Sequence, residues 1–147
     1  MAYNDTPLPT DLISDSQPDI RENFQLLEDS QVVDEGSTND GDYIRYENGW
    51  QICFGDNTIA NFTIDESDGN FYRNISGEST TDLPVSFVNE NFTPLVFLGR
   101  DSAVFSETIG VTHTIVSSNS DFRFYVKDDV SSTIDLEYSW VAIGRWK

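Results

Sequence analysis

The stretch Trp140-Val141-Ala142-Ile143-Gly144-Arg145-Trp146-Lys147 decides the fold class. Large and small apolar residues alternate along it with an aromatic at either end, the pattern of a buried or half-buried β-strand. The sequence stops on that strand, so the C-terminus is expected in the core and not in a loose tail.

Working outward, the same two-residue period runs back to Tyr43. Tyr43-Ile44-Arg45-Tyr46-Glu47, Asn48-Gly49 and Trp50-Gln51-Ile52-Cys53-Phe54 read as a hairpin, with the dipeptide that best tolerates positive φ at both turn positions. Trp50, Ile52 and Phe54 share one of its faces. Further strands are expected at Thr58–Ile64, Asn70–Ile75, Val85–Val88, Pro94–Gly99, Ala103–Val116, Phe122–Lys127 and Ile134–Trp146. Polar turns separate them, notably 65–69, 76–78 and 117–121. Short strands, short turns and almost no helix predict a mainly β protein, an antiparallel β-sandwich over residues 43–147.

Residues 1–42 have another character. They hold eleven acids against the single base Arg21, and only two aromatics, Tyr3 and Phe24. Pro7-Leu8-Pro9 is extended. Ser16-Gln17-Pro18-Asp19 reads as a capped helix start, predicting one short helix at about 18–29 in an otherwise extended arm. Ile20, Phe24 and Leu27 fall at i, i+4 and i+7 on one face of it. So short a helix is unstable alone, and this stripe is the candidate trimer or attachment interface. The apolar-free run 34–42 reads as a linker.

Composition narrows the function classes. With 147 residues the chain holds one domain plus an appendage. Twenty-six acids against eight bases give a formal charge of −18, which repels phosphate and argues against nucleic-acid binding. No apolar run is long enough for membrane insertion, and the first residues carry no secretory pattern. Cys53, the single cysteine, excludes an internal disulfide. It and His113 lie far apart in sequence with no nucleophile-elbow signature, so no catalytic residue is assigned and no enzyme is expected. Asp65-Glu66-Ser67-Asp68-Gly69-Asn70 has oxygen donors that suit calcium but lacks the EF-hand order, so no metal or other cofactor is assigned. Sequons at Asn4, Asn61, Asn74 and Asn91 are near chance frequency. Phe122, Phe124 and Val126 alternate with Arg123, Tyr125 and Lys127. The latter three are expected to face outward, a tyrosine between two cations and the best local candidate for ligand binding.

Three stretches together resemble the small C-terminal domains of bacteriophage tail fibres related to H-type lectins. The line Tyr43 to Cys53 is similar to the opening hairpin of fibre-tip domains. Leu83-Pro84-Val85-Ser86-Phe87 followed by Phe92-Thr93-Pro94-Leu95-Val96 resembles the H-type lectin pattern of a strand, Phe-x-Pro and the next strand. Ser139 to Gly144 is similar to the terminal strand of that group. The resemblance implies a six- or seven-stranded antiparallel, H-type-lectin-like sandwich that works as a homotrimer and, in several relatives, binds cell-surface glycans. The helix Ile20 to Leu27 looks like the attachment helices of virion fibre proteins.

The expectation is therefore a structural protein of the phage virion, on the tail or head surface. It docks to other virion proteins through residues 1–42 and presents the sandwich to a host glycan. The alternatives are a cementing protein without ligand, a small surface-polysaccharide hydrolase using paired acids between subunits, and a free-standing lectin.

Overall fold

The computed structural model describes residue 18 and residues 21–27, 31–74, 79–99 and 109–147. Within these, residues 21–27 are helical and nine strands follow: β1 (Val32–Thr38), β2 (Gly41–Tyr46), β3 (Trp50–Asp68), β4 (Phe71–Asn74), β5 (Thr80–Asp82), β6 (Thr93–Leu98), β7 (Gly110–Val116), β8 (Asp121–Asp128) and β9 (Ser132–Arg145). Every pairing among them is antiparallel.

Two long strands, β3 and β9, form the spine. They pair from Trp50↔Arg145 to Ile64↔Ser132. One layer is β1-β2-β3-β9-β6, built on the first half of β3 and the second half of β9. The second half of β3 pairs with β4, which leads into β8 flanked by β5 and β7. The two layers meet through rings: Phe122 of β8 contacts Trp140 of β9 edge-on at 5.6 Å between centroids, and Phe124 lies 4.8 Å from Tyr138. Phe62, Ile64, Val126, Leu136 and Ala142 complete the apolar core. This is the antiparallel sandwich expected.

The spine bends where the sequence breaks its own alternation. On β9 the inward residues keep one parity from Ile134 to Ala142, whereas on β3 they switch from Gln51 and Cys53 to Phe62 and Ile64. A bulge between Ile59 and Phe62 absorbs the extra residue. Asn61 sits there at φ 54°, the left-handed region that asparagine tolerates better than most residues. Its backbone N–H donates to the Asp135 carboxylate at 2.9 Å.

Four local expectations change. Residues 34–38, read as linker, belong to β1, which turns at Asn39-Asp40 into β2. A strand can lack large apolar residues where its neighbour supplies the ladder. The 47–49 loop has three residues with Gly49 alone at positive φ (88°), instead of a two-residue turn with both positions positive. Its Gly49 N–H donates to Tyr46 O and the Asn48 side chain accepts from Trp50 N–H. Val85–Val88 is a loop: its backbone bonds go to separate partners, Phe87 to Asn119 and Val88 to Arg145, so no ladder forms. Finally, residues 65–68 continue β3 and the turn falls at Gly69-Asn70. Glu66 pairs there with Arg73 and Asp68 with Lys127.

Candidate functional site

β8 alternates strictly, with Phe122, Phe124 and Val126 inward and Arg123, Tyr125 and Lys127 on the opposite face. The three candidates thus share a face, and their neighbours engage them. Arg123 Nε donates to Ser117 Oγ at 2.8 Å. Lys127 Nζ pairs with Asp68 at 2.5 Å, and that hydrogen-bonded ammonium holds the Asp68 carboxyl below its usual range. His113 of β7 stands directly opposite Tyr125 and stacks on its ring, centroids 4.4 Å apart.

Of the helical stripe, Phe24 is 63% exposed and Leu27 46% exposed. Ile20 lies outside the described residues, as does the expected cap at Ser16.

A larger apolar surface lies on the outer face of the β1-β2-β3-β9-β6 layer. Cross-strand partners share a face, so the register lists its rows directly. Ile44, Ile52, Ile143 and Thr93 form one row, Asp42, Phe54, Val141 and Leu95 the next, and Asp56, Ser139 and Phe97 a third. Trp50 and Arg145 pair at one end. Leu95, Phe97 and Trp50 are each about half exposed, and Ile143 is 39% exposed. A sheet face this apolar calls for a cover.

The sequence carried the signal for that surface. Trp140-Val141-Ala142-Ile143 is apolar at consecutive positions, as is Ile52-Cys53-Phe54, the mark of a strand buried on both faces. The chain covers only one of them, burying Trp140, Ala142 and Cys53. The opposite substitution occurs inside, where fully buried Gln51 takes a core position. Its Nε2 donates to the carbonyls of Val85 and Ser86, and its Oε1 accepts from Arg45 Nε at 2.8 Å. Burial beside it pushes the Cys53 thiol up to about 11, which keeps that thiol protonated and unreactive.

Cations lie at the Trp50 end of the sheet on both of its faces, Arg45 on the Gln51 side and Arg145 on the Trp50 side. Arg45 pairs with Asp34 at 3.0 Å while its guanidinium lies 5.3 Å from the Tyr43 ring centre and 5.2 Å from that of Trp146. Arg145 lies 5.3 Å over Trp50. Trp146 is pinned by its indole N–H to Tyr46 O. These contacts keep the last residues beside the sheet, but β9 ends at Arg145, Trp146 is half-buried and Lys147 exposed, so the chain ends next to the core and not in it.

No protein family and no curated protein matches the sequence. Two solved structures are similar in fold. One is an N-truncated R1-type pyocin tail fibre, 13% identical with a TM-score of 0.50, the match covering 93% of this chain and 99% of that one. The other is a C-terminal fragment of the P. aeruginosa R1 pyocin fibre, 12% identical with a TM-score of 0.50 over 98% of this chain and 40% of that one. The chain therefore has a tail-fibre-like fold.

Proposed function

We propose that this chain is a structural protein of a phage particle, a short trimeric fibre or decoration protein. Its residues ahead of β1 dock to other virion proteins, residues 32–42 belonging to the sheet, and its H-type-lectin-like sandwich presents a surface to host glycans. The observation that carries the reading is the open apolar face around Ile52, Phe54, Leu95, Val141 and Ile143, on a chain whose charge of −18 otherwise keeps it soluble. Three copies arranged about an axis cover one another's faces and bring their Ile20/Phe24/Leu27 stripes together. The tail-fibre-like fold supports the same reading. Three modest ligand sites on one rigid base would bind a repetitive surface with high avidity.

Light scattering tests the assembly. A mass of about 50 kDa is expected, three chains of 16.6 kDa each. A single-chain mass at micromolar concentration overturns it. A second reading, a cementing protein without ligand, is favoured by one observation: Arg123, Tyr125 and Lys127 are each engaged within the chain. A glycan array separates the two, because a cementing protein of the right mass binds no glycan.

A further inference from the structure

The two layers meet through their inward rings, so their outer faces point away from each other. Copies that cover the apolar face of one layer leave the outer face of β4, β8 and β7 to solvent. On that face the register sets Arg73, Lys127 and Gly110 in one row and Tyr125 and His113 in the next. Gly110 leaves a gap in its row. A Cβ on it would meet nothing within 4 Å, and its φ lies outside the left-handed region. Neither crowding nor backbone strain calls for glycine here, and the missing side chain leaves a hollow of about 270 Å³ lined by Phe71, Val111, Thr112 and Lys127.

The walls of the hollow differ in chemistry. Phe71 is 44% exposed, a large apolar ring left open at the surface. Asp68 stands opposite it on β3, and the Asp68 carboxylate holds the Lys127 ammonium. An acceptor and a donor therefore sit side by side at the rim. An ammonium carries three N–H groups, and Asp68 is the one ion-pair partner of Lys127 among the described residues. The bulge between Val111 and His113 brings Thr112 to the same hollow, where its hydroxyl bonds Tyr125 O at 3.4 Å. Glu66 and Arg73 pair alongside, so these four charges cancel, on a chain of −18.

We infer that this hollow takes one neutral sugar ring bearing adjacent hydroxyl groups. Phe71 packs on the C–H face of the ring, one hydroxyl donates to Asp68 and its neighbour accepts from Lys127. A donor beside an acceptor suits a diol, whereas an apolar side chain would leave both without a bond. The charge of the whole chain repels an acidic sugar or a phosphate. The volume admits a single ring, being below the roughly 300–1,000 Å³ of sites for larger ligands. A following residue of the glycan would meet the stacked His113 and Tyr125 in the next row. The inference rests on the glycan-recognition reading above and gives it a site and a ligand class.

The test uses the full chain and follows the backbone amide resonances of Gly110 and Thr112 by NMR. Galactose, N-acetylglucosamine and mannose are titrated. Glucuronic acid is the charged comparison, and N-acetyl-leucine amide stands in for a protein side chain. A monosaccharide of about a dozen non-hydrogen atoms should bind at about millimolar concentration, and at least one of the three should shift both resonances. Gly110→Val fills the hollow and Phe71→Ala removes its wall. Each should weaken that binding about tenfold, read at Thr112, with the mass in solution unchanged, and should lower glycan-array binding likewise. Array binding that both variants retain in full would overturn this site and leave glycan recognition standing. A protein of trimer mass that binds no sugar in solution or on the array would overturn both. Equal shifts from glucuronic acid, or shifts from N-acetyl-leucine amide alone, would overturn the ligand class.

Discussion

Replacing Leu95 and Phe97 with threonine should dissolve the assembly while sparing the fold. Both lie on the outer face of β6, 48% and 57% exposed, opposite Val141 and Ser139. Threonine is a good strand residue and removes apolar area without adding charge. Aromatic and large aliphatic side chains carry surface on the order of 200 Å². About 100 Å² of each is therefore left open in the single chain, worth about 2.5 kcal/mol per residue at about 25 cal/mol per Å² if a neighbour covers it. Allowing for what threonine retains, the pair loses about 3 kcal/mol per chain, more than a hundredfold in association per interface. Light scattering over a dilution series should show the wild type at trimer mass and Leu95→Thr/Phe97→Thr at single-chain mass. Circular dichroism and the denaturant midpoint of the dissociated variant report whether its own fold is intact. An unchanged mass would refute the assignment of this face as the contact between copies. A loss of the variant's own β-structure would show instead that these side chains support the core.

Three other outcomes follow from buried geometry. Gln51→Ala opens a cavity and frees the Val85 and Ser86 carbonyls and the Arg45 guanidinium, so it should cost about 2–4 kcal/mol by urea unfolding. Asn61→Val should cost about 1–2 kcal/mol because a β-branched residue resists φ 54°, whereas Asn61→Gly should be nearly neutral. Cys53 should resist thiol reagents until the chain unfolds, and its titration sets a slope in stability. The folded thiol titrates at about 11 and the unfolded one near 9.0, so between those values the unfolded chain has lost the proton and the folded chain has kept it. Stability should therefore fall across that window by up to about 3 kcal/mol, and Cys53→Ala should remove this contribution.

Much of the β-architecture was legible from local pattern. Alternation along Phe122–Lys127 and Trp140–Trp146 identified strands, because side chains on a pleated strand point alternately to its two faces whatever lies beyond. The loop at Val85–Val88 was not legible: its apolar residues fill the core from a bent backbone, and periodicity does not distinguish that from a short strand. Nor was β1, whose Asp34, Glu35, Gly36 and Ser37 form a strand only because β2 offers a free edge.

The candidate site divides in the same way. Sequence alone determined that β9 is apolar on consecutive positions, and so that both of its faces need cover. It also determined that Arg123, Tyr125 and Lys127 share a face of β8. Tertiary structure alone decided which face of β9 the chain covers for itself, because burial there depends on β8 closing over Trp140 and Tyr138. It likewise decided that Asp42, Asp56 and Ser139 come together on the outer face of the sheet. Those residues lie far apart in the chain, and only the register of β2, β3 and β9 brings them together. No local preference encodes a register, which is chosen by the whole sheet.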